Sequence, residues 1–318
     1  MSTYDLIILG GGPAGVAAAI YAARKRLKTL LITESFGGQS VVSDDIQNWI
    51  GETHITGFDL AKKFEDHVRL FSDIVEIKLE RALEIKKTGE NFYIKTESGE
   101  FKARALILAI GARRRKLNVP GEQKFEGKGV VYCSTCDAPL FDRKKVAVVG
   151  GGNAGLEAVV DLFPYASHIT LLIRGEELKG DPVTQEEIKN PPTGGPKVEI
   201  IFNVKTNEIL GDKFVTGLRY EDLKTKEIKE LTLNGVFVEI GSVPNSEMVK
   251  DLVELDQWGQ VKIDSKWGTT SSPGIFAAGD ITDDPYKQNN ISAGDAVKAA
   301  LAAYNYILKR KKDSPAAN

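Results

Sequence analysis

Two stretches of the chain share one pattern of apolar and small residues. The runs YDLIILGGGPAG, from Tyr4, and KVAVVGGGNAG, from Lys145, each pass from an apolar segment into a glycine turn and then into a helix-forming segment. A short run that is apolar at nearly every position is typical of a strand buried on both faces of a parallel sheet. The repeat therefore predicts two strand-turn-helix units of one design.

Further apolar patterns predict the elements between and after these units. Residues 56–71 predict an amphipathic helix whose core face, at a period near 3.6, consists of Phe58, Leu60, Phe64, Val68 and Phe71. NFYIKT, FKARALILAIGA and PGIFAAGD predict strands, and ISAGDAVKAALAAYNYILKRKK predicts a helix. The pattern is interrupted at Gly111 and again at Gly241 and Pro244. These interruptions indicate two passages, places where the chain crosses from one domain to another.

Composition limits the classes of partner. The chain has 318 residues and 42% hydrophobic content, enough for about two domains with sizeable cores. Its net charge of −2 indicates no attraction to nucleic acid or to an anionic membrane. No apolar run approaches the ~20 residues that span a bilayer, and we expect a cytoplasmic protein.

Cys133 and Cys136 are the only cysteines. Two cysteines in so long a chain argue for a reducing compartment, where a close cysteine pair is typically catalytic or metal-binding. Structural zinc needs four ligands, and His54, His67 and His168 are scattered, so we predict no metal site. The residues alone leave both a redox pair and two buried thiols open.

The first glycine turn has the spacing of a dinucleotide site. Gly10, Gly12 and Gly15 would allow the tight turn, the approach of a pyrophosphate and close helix packing. The following strand ends in Glu34, 19 positions after Gly15, where an acid that binds ribose hydroxyls is expected.

The second turn, at Gly150, Gly152 and Gly155, has Arg174 at the same offset. An arginine can pair with a 2′-phosphate, which favours NADP, although a solvent-facing arginine at a strand end is the alternative. Two nucleotide sites around a cysteine pair suggest a relay from nicotinamide through flavin to a disulfide, with FAD in the first site.

Six short motifs together resemble those of the low-molecular-weight thioredoxin reductases and of the related flavoprotein subunit of alkyl hydroperoxide reductase. They are GGGPAG, GGQ at Gly37, CSTCD at Cys133, GGGNAG, AAGD and YKQ. The resemblance covers essentially the whole chain. It implies an α/β protein with two Rossmann-like, three-layer dinucleotide-binding domains. The FAD domain would comprise residues 1–112 and 245–318, with an NAD(P)H domain, residues 113–244, inserted and carrying the cysteines.

The resemblance also implies the site residues. FAD would be bound by Gly10, Gly12, Pro13, Ala14, Gly15, Glu34, Gly37, Gly38, Gln39, Asn48, Gly111, Gly279, Asp280, Lys287 and Gln288. The nicotinamide coenzyme would be bound by Gly150, Gly152, Asn153, Gly155, Arg174 and Lys179. Cys136 would face the flavin, Cys133 would attack the partner disulfide, and Asp137 would be the acid-base residue.

The implied activity is transfer of electrons from NADPH to thioredoxin or a thioredoxin-like protein by a homodimer whose domains rotate about hinges near Gly111 and Gly241. The segment IRGEELK keeps Arg174 and Lys179 of the NADPH-specific pattern but has Ile173 and Gly175 at its other positions, so NADH is an alternative coenzyme. Three further functions stay open: a ferredoxin-dependent enzyme, a reductase of a peroxiredoxin, and a nucleotide-sensing scaffold with inert cysteines.

Overall fold

The computed structural model describes residues 2–43 and 45–313. The helices are α1 (Pro13–Arg24), α2 (Gly57–Arg69), α3 (Ser134–Asp137), α4 (Asn153–Asp161), α5 (Pro182–Lys189) and α6 (Asn289–Asp313). The strands are β1 (Thr3–Gly11), β2 (Thr29–Phe36), β3 (Val75–Leu79), β4 (Glu84–Thr88), β5 (Asn91–Lys95), β6 (Glu100–Leu108), β7 (Ala112–Arg114), β8 (Val130–Val131), β9 (Lys145–Val149), β10 (His168–Leu172), β11 (Lys197–Ile201), β12 (Val204–Gly211), β13 (Val215–Asp222), β14 (Ile228–Thr232), β15 (Gly235–Val238), β16 (Ser242–Pro244) and β17 (Ile275–Ala277).

The chain divides into two compact units. One comprises Met1–Arg113 and Val243–Asn318, and the other comprises Arg114–Ser242. The predicted domain boundaries lie within two residues of these limits. Which nucleotide each unit binds stays a prediction. Gly111 and Gly241, near the two passages, have φ of +61° and +93°, which favours glycine at both positions.

The discontinuous unit is built on a sheet in the order β3-β2-β1-β6-β5-β4, with β17 also pairing with β6. Successive residues of β1 enter different cores. Leu6 and Ile8 pack with α1 and α6 on one face, and Ile7 and Leu9 pack on the other. Because neighbouring strand residues point to opposite faces, the nearly unbroken apolar run of β1 indicates a sheet that is covered on both sides.

The inserted unit has a parallel sheet in the order β11-β10-β9-β15-β8. Residues of α4 and α5 pack on one face of it, and residues of the antiparallel sheet β12-β13-β14 pack on the other. Both units are thus layered α/β structures around a central sheet, as predicted. Along the described residues, no helix combines the length and apolarity needed to cross a bilayer.

The predicted amphipathic helix is α2, but one of its assigned core residues is not buried. Leu60, Phe64 and Val68 are buried, whereas Phe58 is 68% exposed. Residues four apart share a helix face and residues two apart do not, so Phe58 lies away from the face that Leu60 defines. The core assignment of Phe58 was wrong. Phe71 lies beyond the end of α2 and is partly buried.

Two phenylalanines of α2 offer a matched test of this packing. We expect Phe64→Ala to lower the free energy of unfolding by about 3–5 kcal/mol, because it leaves a cavity in the core. Phe58→Ala should change it by less than about 0.5 kcal/mol, because the ring is largely in solvent. Urea denaturation measures both; equal losses would contradict the assigned helix face.

Candidate dinucleotide and disulfide sites

The β1–α1 turn is shaped by close backbone contacts. Gly10 has φ +107°, and a Cβ on Gly15 would lie 1.7 Å from the carbonyl oxygen of Gly10. A side chain at either position would therefore break the turn. Gly12, by contrast, would place a Cβ no closer than 3.8 Å to its nearest neighbour, the Cα of Gly38. The space at Gly12 is open for a ligand.

The N-terminus of α1 faces this space without a side-chain partner. Gly12 is the N-cap, and no described side chain caps the helix there. The first-turn N–H groups and the helix dipole are consequently available to an anion such as a pyrophosphate.

A cavity of about 830 Å³ lies within the discontinuous unit around this turn. The predicted site residues that line it are Gly10, Gly12, Pro13, Ala14, Glu34, Gly38, Gln39, Gly111, Gly279 and Asp280. Tertiary structure thus brings together residues from opposite ends of the chain, and the volume and donors suit a dinucleotide.

Other predicted residues lie outside that lining. Gly15 and Gly37 shape the backbone, since a Cβ on Gly37 would lie 2.5 Å from that of Ala61. Asn48 donates from Nδ2 to Oε1 of Gln288 at 3.3 Å. Lys287 donates from Nζ to the Thr282 carbonyl at 2.6 Å, and burial lowers its pKa.

Asp280 is held at the cavity by two neighbours. Gln39 donates from Nε2 to Oδ2 at 2.9 Å, and the Ser292 hydroxyl lies 3.4 Å from Oδ1. Sequence reasoning missed Ser292, and it also missed Asn245, whose Nδ2 donates to the Ile110 carbonyl at 2.7 Å. Both line the cavity. No local motif marks them, because their role depends on contacts between segments distant in sequence.

The second glycine turn repeats the geometry of the first. Gly150 has φ +140°, and a Cβ on Gly155 would lie 2.0 Å from the Gly150 carbonyl oxygen. No atom lies within 4 Å of a Cβ built on Gly152, the N-cap of α4. The turn therefore also leaves open space at an uncapped helix end, as a nucleotide site requires.

The predicted coenzyme residues surround this second turn. Asn153 accepts from the Asp181 backbone N–H at 2.7 Å, so its carbonyl is engaged within the protein. The Lys179 backbone N–H donates to the Gly151 carbonyl at 2.8 Å, which keeps the segment after β10 beside the turn. Arg174 and Lys179 are exposed. Their side chains are available to a phosphate group.

Cys133 and Cys136 form a disulfide in the inserted unit, with Cα atoms 5.3 Å apart. Cys133 is the N-cap of α3, and the backbone N–H of Asp137 donates to its carbonyl at 3.0 Å. Both cysteines are half-buried, and Asp137 is buried. The pair is thus held in a short helical turn with a carboxyl group beside it, which is a geometry for thiol-disulfide exchange.

Two further carboxyl groups lie near this turn and were not predicted. Asp161 accepts hydrogen bonds from the hydroxyls of Ser134, at 2.8 Å, and Thr135, at 3.2 Å. Glu239 is buried, and desolvation raises its pKa to about 7. The sequence held one usable signal: a glutamate directly after the apolar strand GVFV is unusual unless the fold gives it partners.

Comparison with known proteins gives the family. Residues 4–303 match the profile of the family described as pyridine nucleotide-disulphide oxidoreductase, and the chain belongs to that family. It is 45% identical over 311 residues to the F subunit of alkyl hydroperoxide reductase from Pseudomonas aeruginosa, covering 96% of this chain and 58% of the relative. It is also 45% identical over 307 residues to an NADH dehydrogenase of Bacillus subtilis, and this match covers 96% of this chain and 59% of the relative. The chain therefore spans less than two thirds of these relatives.

Solved structures agree with the fold. Thioredoxin reductase from Streptococcus pyogenes superposes with a TM-score of 0.89 at 34% identity, over 97% of this chain and 99% of that one. Thioredoxin reductase from Giardia duodenalis superposes with a TM-score of 0.88 at 30% identity, over 97% of this chain and 100% of that one. The predicted resemblance and fold class are confirmed. FAD and NAD(P)H are the cofactors of this family, and the open space at both glycine turns fits dinucleotides.

Substitution can distinguish Gly12, which borders the ligand space, from Gly15, which packs against the backbone of the turn. We expect Gly12→Ala to fold normally but to retain FAD at least about tenfold more weakly, because its methyl group enters the ligand space. Gly15→Ala should instead destabilise the protein, because its methyl group meets the Gly10 carbonyl. Flavin absorbance after dialysis and circular dichroism measure the two effects. Equal flavin retention in Gly12→Ala and wild type would place the nucleotide elsewhere.

Proposed function

We propose that this protein is a flavin-dependent disulfide reductase that passes electrons from NADPH, through FAD and the Cys133–Cys136 disulfide, to thioredoxin or a thioredoxin-like protein. The observation that carries the proposal is the disulfide itself. It is formed by the only two cysteines in the chain, and it lies in the same unit as the second dinucleotide turn.

The chain supplies two nucleotide sites of opposite local chemistry. Glu34 lines the first cavity, where a carboxylate accepts from ribose hydroxyls. Exposed Arg174 follows β10 beside the second turn, where a guanidinium can pair with a phosphate. Bound FAD would supply the conversion between hydride transfer and thiol chemistry.

The reduced cysteines would then act on a partner protein. The Cys133 thiolate attacks one sulfur of the partner disulfide, forms a mixed disulfide, and releases the other partner sulfur. Cys136 next attacks Cys133, which restores the Cys133–Cys136 bond and releases the second partner sulfur. The partner gains two electrons and two protons, and we expect Asp137, which is buried, to donate one of those protons.

A second candidate function has the same electron path and a different partner. Relatives at 45% identity are named for the F subunit of alkyl hydroperoxide reductase and for NADH dehydrogenase. These names favour a peroxidase-linked partner and NADH as the donor. Turnover with each purified partner, a thioredoxin and a peroxiredoxin, under each coenzyme separates the two candidates.

We also propose that the protein works as a homodimer in the cytoplasm. Two cysteines in 318 residues suit a reducing compartment. Sedimentation of the flavin-loaded protein measures the assembly, and a monomer would contradict the proposed dimer.

Removal of one sulfur tests the relay. In Cys136→Ser we expect reduction of protein disulfides to fall at least about a hundredfold, because the mixed disulfide can no longer be resolved and the flavin has lost its sulfur acceptor. The FAD content and the NADPH-dependent reduction of ferricyanide should persist, and they serve as internal controls. Full disulfide turnover in this variant would support a scaffold with inert cysteines.

Replacement of Arg174 tests the coenzyme. In Arg174→Ala we expect the KM for NADPH to rise about tenfold, since one charge-assisted contact with the 2′-phosphate is lost, and the KM for NADH to change less than about twofold. Lys189→Ala, an exposed charge on α5, is the matched control. A wild-type kcat/KM that strongly favours NADH would overturn the assignment of NADPH.

A further inference from the structure

One carboxylate holds both of the residues that lie between the two cysteines. Asp161 accepts two hydrogen bonds at Oδ2, from the hydroxyl of Ser134 at 2.8 Å and from the hydroxyl of Thr135 at 3.2 Å. Ser134 is buried, and Thr135 is exposed. Both hydroxyls therefore meet on a single oxygen atom at the end of α4.

The position of Asp161 in its own helix is unfavourable for a carboxylate. Asp161 is the last residue of α4, and the last turn of that helix contains no basic residue. The helix dipole is negative at this end and disfavours a negatively charged side chain there. The two hydroxyl donors offset this cost, so the contact with the disulfide turn accounts for an acid at a position that the helix itself does not favour.

The cysteines lie in a helical segment that is too short to be stable by itself. α3 has four residues, and the backbone N–H of Asp137 donates to the carbonyl of Cys133 at 3.0 Å. A single helical turn fixes several backbone dihedrals for one hydrogen bond, so its formation is unfavourable without further contacts. The bond between Cys133 and Cys136 is one such contact, and reduction removes it. The contact with Asp161 is made by hydroxyls, which reduction does not change.

We propose that Asp161 is a positioning residue of the disulfide centre. Through Ser134 and Thr135 it holds the reduced turn in shape, so that Cys133 and Cys136 stay close enough to form the disulfide again. The inference rests on the proposed function, since it takes the dithiol as the redox group. Asp161 acts on the sulfurs only through the turn, and it sets how fast one cysteine resolves a mixed disulfide that the other has formed.

Resolution of a mixed disulfide is the step that depends on this positioning. One reduced cysteine, as a thiolate, bonds to one sulfur of an external disulfide and releases the other sulfur as a thiolate. The second cysteine then attacks the first, the bond to the external sulfur breaks, and that sulfur also leaves as a thiolate. The protein loses two electrons and two protons, and the external disulfide gains the two electrons. Because the second attack is intramolecular, its rate depends on how closely the turn keeps the two sulfurs in the attacking geometry.

Reaction with the chromogenic aromatic disulfide dithiobis(nitrobenzoate) measures this step directly. The FAD-loaded protein is reduced anaerobically with a phosphine, which takes oxygen from water and leaves two thiols, and the phosphine is removed before mixing. Release of the first thionitrobenzoate reports the bimolecular attack. Release of the second, at a rate independent of reagent concentration, reports closure of the protein disulfide. We expect Asp161→Ala to slow this closure about tenfold, because the reduced turn then adopts other shapes.

Further variants separate the hydrogen bonds from the charge. Asp161→Asn removes the charge but keeps an oxygen that accepts from both hydroxyls, so closure should stay within about twofold of wild type. Ser134→Ala combined with Thr135→Val keeps the charge and removes both donors, and it should slow closure as much as Asp161→Ala does. Adding Asp161→Ala to that pair should have little further effect, because the same contact is already lost. Asp142→Ala, at an exposed aspartate, is the matched control and should match wild type.

Normal closure in Asp161→Ala would overturn the inference, even if the oxidised variant melts at a lower temperature, since that result indicates a structural role alone. Closure as slow in Asp161→Asn as in Asp161→Ala would also overturn it, since charge would then be the cause. The reagent replaces both coenzyme and partner protein, so the inference can fail while disulfide turnover persists. Wild-type protein that releases no second thionitrobenzoate would instead refute the proposed function, and the inference with it.

Discussion

The structure depends on one backbone contact that occurs twice. In each unit, the first turn of a helix approaches the end of a strand so closely that the third glycine of the turn has no room for a Cβ. At Gly15 that atom would lie 1.7 Å from the Gly10 carbonyl oxygen, and at Gly155 it would lie 2.0 Å from the Gly150 carbonyl oxygen. The contact aims the helix N-terminus at open space beside Gly12 and Gly152, which creates a site for an anion.

The residues beyond this contact differ between the two units. In the discontinuous unit, Glu34 and Asp280 bring carboxyl groups to the cavity. In the inserted unit, exposed Arg174 and Lys179 bring positive charge near the turn. The proposed roles of these residues, an acceptor for ribose hydroxyls in one unit and donors for phosphate in the other, follow from this difference.

Carboxyl groups lie at the disulfide turn. Asp161 accepts hydrogen bonds from two hydroxyls, and Glu239 is buried. Buried charges without such partners would destabilise the unit. Under the proposed function, reduction of the disulfide would add two protons at a turn that already carries the carboxyl groups of Asp137 and Asp161.

The sequence by itself determined much of the architecture and the chemistry. Glycine spacing, apolar strands and the cysteine pair are local signals, because a turn, a buried strand and a short disulfide each depend on neighbouring residues. Tertiary structure decided what joins distant segments: the cavity contacts of Asn245 and Ser292, the exposure of Phe58, and the burial of Glu239. Packing and electrostatics act through space, between residues that are distant in sequence. The periodicity of the sequence therefore does not predict them.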